Sequence, residues 1–322
     1  MKTKIRFTFN WALFIILLVL FVTIAGINPV FLSINYLVEI MLRNIVEIGM
    51  MALPVTMIII TGGIDLSVGS TLVLSAMAGG IAAAAGGSAV GVIAALLTGM
   101  ICGLFNGLLI TKLKISPLVT TLATMYLYMG LARSISKGDS VYSYPASQFL
   151  GTGDIAGIPI QLFVYAIFIF VFWFLLAKTT IGRKLFGIGL NENATIYSGV
   201  NTGRMKILIY FLSGLVCAIA GIIWLGRFTS IKYDAGTALA LRVVTVIVMG
   251  GTSIMGGAGD IKGTVLATLI MAVLNSGLTV LRIPIATQTI VHGLILVISL
   301  VCYSIINSQM GKSRAVKGLS TK

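Results

Sequence analysis

Few residues in this chain could do chemistry, and their placement limits what chemistry that is. Asp65 lies in the run Thr61-Gly62-Gly63-Ile64-Asp65-Leu66-Ser67-Val68-Gly69-Ser70, directly after an almost purely aliphatic stretch. A carboxylate inside an apolar span costs about 3 kcal/mol unless it lines a cavity or finds partners. Gly62-Gly63 can end or bend a helix, and Asp65 or Ser67 can cap the helix that follows. Arg242 stands inside another apolar run. Glu39, Arg43 and Glu47 recur every fourth residue, the spacing of an ion-pair ladder along one helix face. The one histidine, His292, lies in the last apolar run and reads as a packing residue or a solute contact. Cys102, Cys217 and Cys302 each sit in an apolar run without disulfide or metal spacing and read as small buried hydrophobes. No Cys, His, Asp or Glu cluster has zinc-ligand spacing, and no acid pair stands in a defined cleft. Gly311-Lys312-Ser313 copies the end of a phosphate-binding loop, but Ile306 stands where its first glycine belongs. The residues therefore point to handling a solute rather than transforming one, with no cofactor held by this chain.

The elements that must position these residues are membrane spans. Of 322 residues, 58% are hydrophobic and 9% charged, and the mean hydropathy is +1.10. A soluble domain carries roughly 25% charged residues, so this chain could not cover its surface in water. Its long apolar runs predict helices, not barrel strands, which would alternate over about ten residues. Ten spans are expected, near 10–28, 43–61, 70–86, 90–111, 117–133, 161–178, 206–225, 238–250, 263–281 and 285–306, the eighth being short and interrupted by Arg242. The first, preceded by Lys2, Lys4 and Arg6, resembles a signal peptide but reads as a retained helix. The net charge of +14 would suit nucleic acid. With the N-terminus placed inside, however, fifteen Lys and Arg fall on the cytoplasmic side against six outside, so topology accounts for the charge and both termini are expected in the cytoplasm.

Two connections are longer than turns require. Ser134–Ile160 is expected outside, and 178–206, with Arg183, Lys184, Glu192 and Arg204, in the cytoplasm. Asn106-Gly107 and Asn275-Ser276-Gly277 occupy similar positions late in two oppositely directed spans, which suggests inverted halves. A second glycine run, Gly250-Gly251-Thr252-Ser253-Ile254-Met255-Gly256-Gly257-Ala258-Gly259, predicts another break. Both glycine motifs fit either tight helix crossing or broken helices presenting polar groups to a solute.

Gly62-Gly63-Ile64-Asp65-Leu66-Ser67-Val68-Gly69-Ser70 resembles the signature of the ribose-type permeases of ABC importers. So do Asn106-Gly107 through Thr121-Leu-Ala-Thr124, Gly182-Arg183 through Ser198-Gly199-Val200, and Gly250-Gly251-Thr252-Ser253 through Gly263-Thr264. The resemblance implies an all-α polytopic permease in the bacterial inner membrane, one transmembrane domain over 1–322 with a basic tail at 307–322. It implies uptake of a sugar or sugar-like solute. It also implies a second permease, a cytoplasmic ATPase holding ATP and Mg, and a periplasmic or lipid-anchored binding protein. The loop 178–206 then becomes the ATPase-coupling segment, with Arg183, Asn191, Glu192, Ala194, Ser198 and Gly199 at its centre and a short helix over Asn191–Ser198. Expected pathway residues are Asp65, Ser67, Asn106, Thr121, Arg242 and Asn275. One departure stands out: Leu241-Arg242-Val243-Val244-Thr245 replaces the acidic residue and Ile-Ala-Ala usual before the late glycine motif. Either the solute differs from a simple pentose, or the chain is half of a heterodimer whose partner supplies the acid; a heterodimer is the arrangement preferred here. The sequence leans toward autoinducer-2 or rhamnose permeases. Related permeases for branched-chain amino acids or nucleosides, and an ion-coupled secondary transporter, are the competing readings.

Overall fold

The computed structural model describes residues 2–284, 286–299 and 301, with side chains from Phe9 onward. The tail 307–322, its Gly-Lys-Ser sequence and Cys302 lie outside the described residues. The chain is almost wholly helical. Helix α1 (Lys2–Ile27) leads through a short 3-10 turn and a π-helical segment, Tyr36–Leu42, into α2 (Val46–Ile60). There follow α3 (Val68–Gly86), α4 (Ser88–Lys112) and α5 (Pro117–Ser136). After strand β1 (Val141–Tyr142) comes α6 (Pro145–Thr152), and the strands β2 (Asp154–Ile155) and β3 (Ile158–Pro159) pair as a hairpin. Then come α7 (Ile160–Lys178), α8 (Thr180–Leu190), α9 (Glu192–Tyr197) and α10 (Thr202–Phe228). Strand β4 (Ser230–Ile231) pairs antiparallel with β1, and α11 (Leu239–Met249), α12 (Ile261–Val280) and α13 (Ala286–Ser299) complete the described chain.

Among the described residues, seven helical segments are long and apolar enough to cross a membrane. The other three expected ranges also fall on helices. Helix α5 has the length but carries Thr120, Thr121, Thr124 and Arg133, while α11 and α13 are shorter. The sequence pattern explains the layering. Every residue of α2, from Val46 to Ile60, is buried, so it is the central helix, apolar on all sides as such a helix must be. Helices α7, α8, α10, α11 and α12 pack around it. The outer helices keep bulky apolar faces uncovered: Val90, Ile93, Leu97 and Ile101 on α4, and Ile167, Phe170 and Phe174 on α7. Helices α4 and α10 cross almost backbone to backbone. A Cβ on Gly214 would lie 2.0 Å from Gly99 O, the close approach that small residues permit in membranes.

Two expectations need correction. The connection 134–160 is not a plain loop, because α6 folds back inside it. Pro145 starts this helix, Ser147 Oγ accepts from Tyr144 N at 2.9 Å, and Ser147 and Gly151 are buried. The helix packs on the end of α10. The ladder Glu39-Arg43-Glu47 does not form either. Arg43 pairs with Glu39 at 2.9 Å, whereas Glu47 pairs with Arg227 of α10 at 3.1 Å. The π-helical and 3-10 segments between Tyr36 and Ile45 change the turn angle, so spacing by four no longer keeps one face.

Candidate functional site

The expected pathway residues separate into two groups. The first surrounds the helix break. Helix α2 ends because Gly62 turns to φ +80, while Gly62 N and Gly63 N bond back to Ile59 O and Ile58 O at 2.9 and 3.1 Å. The chain then crosses to α3 with Asp65 buried. Asp65 Oδ1 accepts from Ser67 N at 3.0 Å and Ser67 Oγ at 2.7 Å, and Oδ2 accepts from Ser213 Oγ at 3.3 Å. Asn106 Nδ2 donates to Ser67 Oγ at 2.8 Å. Tyr128 OH stands between Cys102 O and Asn106 Oδ1 at 2.9 and 3.0 Å. Thr121 Oγ1 donates to Pro117 O at 2.9 Å and lies 3.1 Å from Ile64 O.

Asp65, Ser67, Asn106 and Thr121 thus meet, and the carboxylate is held by neutral donors without a basic partner among the described residues. Of the two expected caps only Ser67 is corrected, since Asp65 does accept a backbone amide at the entry to α3. Ser67 occupies the N-cap of α3 but makes no side-chain cap bond, because its hydroxyl is committed to Asp65 and Asn106. Ser213 and Tyr128 were missed. Each is a polar residue in an apolar run, but its partner lies on another helix and leaves no local mark in the sequence.

The second group lines a cavity of about 200 Å³ between α2, α10, α11, α12 and α13. Arg242 and Asn275 are here, together with His292, Gln288, Trp224 and Phe228. His292 Nε2 bonds Asn275 Oδ1, which gives the lone histidine a defined polar role that packing alone did not assign. Arg227 closes one wall. Its guanidinium faces Glu47 as a close charge pair at 3.1 Å, donates to Arg43 O and Asn44 Oδ1 at 2.9 and 2.8 Å, and lies 4.3 Å from the Phe228 ring centroid.

The segment 178–206 forms a third polar surface. Asn191 caps α9 by accepting from Ala194 N at 2.9 Å, Ser198 Oγ donates to Ala194 O at 2.9 Å, and Gly199 at φ +81 ends the helix. Glu192 pairs with Lys206 at 2.7 Å. Arg183, Lys184, Asn191, Ala194 and Ser198 border one shallow groove. Beside it, Tyr197 is 91% exposed, which is unusual for an aromatic side chain with nothing against it. Helix α8 also touches the first group: a Cβ on Gly189 would lie 1.8 Å from Ile60 O and 2.4 Å from Gly257 N. The break after α2, the late glycine run and the segment 178–206 therefore converge on one point. Among the described residues no group of His, Cys, Asp and Glu could hold a metal ion.

The arrangement offers buried hydrogen-bonding groups, a polar cavity and an exposed helix. Comparison with known proteins agrees with it. Residues 36–300 match the family described as branched-chain amino acid transport system, permease component. Autoinducer 2 import system permease protein LsrD of Escherichia coli K12 is 34% identical over 311 residues, 94% of each chain. The proteins of that name from Shigella flexneri and Escherichia coli O157:H7 match to the same extent. No solved structure matches. The match over residues 36–300, with relatives alike along 94% of their length, shows that this chain belongs to the family of branched-chain amino acid transport system permease components.

Proposed function

We propose that this chain is the membrane permease of an ATP-driven, binding-protein-dependent importer for a sugar or sugar-like solute, with autoinducer 2 the first candidate. The observation that carries the reading is the likeness to the LsrD permeases along 94% of the chain. The second and third surfaces support it. Arg242, Asn275, Gln288 and His292 around a 200 Å³ cavity suit a small hydroxylated solute. The capped helix α9, with Tyr197 and Ile196 uncovered, suits a groove on a cytoplasmic ATPase that binds the ATP and Mg.

In this mechanism a binding protein delivers solute outside, to a cavity completed by a second permease, in a heterodimer rather than a homodimer. ATP binding and hydrolysis move α8 and α9. Because Gly189 rests on the end of α2, that motion reaches the Asp65 break, which acts as the inner gate, and the glycine run beside it. Arg183, Asn191, Glu192, Ala194, Ser198 and Gly199 form the coupling surface, both termini lie in the cytoplasm, and 1–322 act as one transmembrane domain. A branched-chain amino acid cargo is the second reading, favoured by the family description. The charged and amide groups of the cavity argue against an aliphatic solute.

The test is uptake of labelled autoinducer 2 into proteoliposomes holding the permease pair, its ATPase and the binding protein. ATP-dependent accumulation, inhibited by excess unlabelled ligand but not by leucine, is expected. Accumulation driven by an ion gradient without ATPase would overturn the reading.

A further inference from the structure

We propose that the cavity between α2 and α10–α13 selects a hydroxylated solute that carries a negative charge, with the anion on Arg242. The inference rests on the permease reading above and adds the charge class of the cargo.

Its basis is an imbalance in the lining. All eight acidic residues of the chain are described, and their ion pairs engage Arg43, Lys206 and Arg227. Arg227 is therefore neutralised where it meets the cavity. Arg242 lines the same space with no acidic side chain of this chain paired to it. A guanidinium is retained in a membrane segment where it faces water, a cavity or a partner. Its planar fork of donors matches a carboxylate or phosphate in a way that a single hydroxyl does not.

His292 on α13 and Asn275 on α12 share the lining with Arg242. His292 Nε2 is engaged by Asn275 Oδ1, while Nδ1 is buried without a partner. In the neutral ring whose Nε2–H donates to Asn275, Nδ1 is a bare acceptor. The cavity thus holds one unpaired guanidinium, with the Asn275–His292 pair as neutral polar lining. Trp224, Phe228 and Ile48 supply apolar walls for a carbon skeleton. The cavity of about 200 Å³ is a space on the scale of a small sugar acid.

Trp224 makes the cavity observable. The permease pair is reconstituted in lipid vesicles with Trp11→Phe and Trp173→Phe in this chain and every partner tryptophan replaced by phenylalanine, which leaves Trp224 as the sole indole. Its fluorescence is titrated with D-ribonate, D-xylonate and D-ribose 5-phosphate, and with the neutral D-ribose and D-xylose. At least one anionic solute should bind about tenfold more tightly than its neutral parent, and Arg242→Gln should bring the pair within about threefold. Iodide quenching of Trp224 should fall severalfold in Arg242→Gln while quenching by neutral acrylamide stays level, which separates lost charge from misfolding. No preference for any anion, or a preference that survives Arg242→Gln, overturns the proposal. ATP-driven vesicle uptake of the same solutes separates the two readings. Uptake of neutral sugars alone removes the charge class and leaves the importer. Charge-selective binding without ATP-driven uptake does the reverse.

Discussion

Gly257 N donates a hydrogen bond to the carbonyl of Ile60 at 2.8 Å. That single bond ties the late glycine run to the last residue of α2, just before Thr61-Gly62-Gly63 interrupts the central helix. Gly256 and Gly257, at φ +82 and +70, bring the backbone close enough for it. Helix α8 seats Gly189 on the same carbonyl. Two motifs separated by nearly 200 residues are therefore one structural feature, and the segment between α7 and α10 presses on it.

Gly189→Ala should disrupt this junction. The new methyl would meet backbone atoms at 1.8 Å (Ile60 O) and 2.4 Å (Gly257 N), and no flexible side chain can yield. Overpacking of this kind costs about 1–3 kcal/mol, so a lower melting temperature and loss of ATP-driven uptake are expected. Gly203→Ala is the control, since its Cβ finds its nearest atom at 3.6 Å and should change neither. Uptake by Gly189→Ala equal to the parent would separate the junction from transport.

The Glu47–Arg227 pair predicts a stability effect. Both side chains are almost fully buried, at 1% and 9% exposure. Removing one charge leaves the other uncompensated, at a cost of about 3–5 kcal/mol. Glu47→Gln and Arg227→Gln should each lower the thermal unfolding midpoint in detergent. The double variant Glu47→Leu, Arg227→Met should recover most of the loss, and equal losses in single and double variants would contradict a direct charge pairing.

At the helix break, Asp65→Ala should cost more than Asp65→Asn. Alanine strands the buried hydroxyls of Ser67 and Ser213, at about 1–3 kcal/mol for each unsatisfied group. Asparagine keeps one acceptor for Ser67. Melting and uptake measured side by side should rank parent, Asn, then Ala. An alanine variant with parental melting and uptake would make Asp65 dispensable.

Helix α9 predicts the opposite pattern. The Glu192–Lys206 pair is partly solvent-exposed, with side chains at 41% and 18%, so breaking it costs under about 1 kcal/mol. Glu192→Lys should leave the melting temperature of the isolated permease unchanged while reducing uptake in the complex. Thr195→Pro, which removes the bond from Thr195 N to Asn191 O, should do so more strongly. ATP-driven uptake unchanged in both would remove α9 from coupling.

Much of the architecture was legible because the cost of burying a residue in lipid is a local property. An apolar run long enough to span the bilayer must be helical wherever it lies, and all ten expected ranges fall on helices over their described residues. The breaks at Gly62 and Gly250–Gly259 and the short helix after Asn191 were also legible, since glycine and capping chemistry act over a few residues.

Pairings were not legible. Spacing by four offered Glu47 to Arg43, but a π-helical segment turned it toward Arg227, 180 positions away in the chain. Asp65 and Arg242 looked alike in sequence as charges inside apolar runs. In the fold one is enclosed by hydroxyls and an amide, and the other borders a cavity. The sequence by itself determined that this is a helical membrane protein and where its helices bend, because transfer into lipid and backbone freedom are set residue by residue. Only the tertiary structure decided which polar groups meet, because that depends on the rotation and crossing of whole helices, which uniformly apolar faces do not specify.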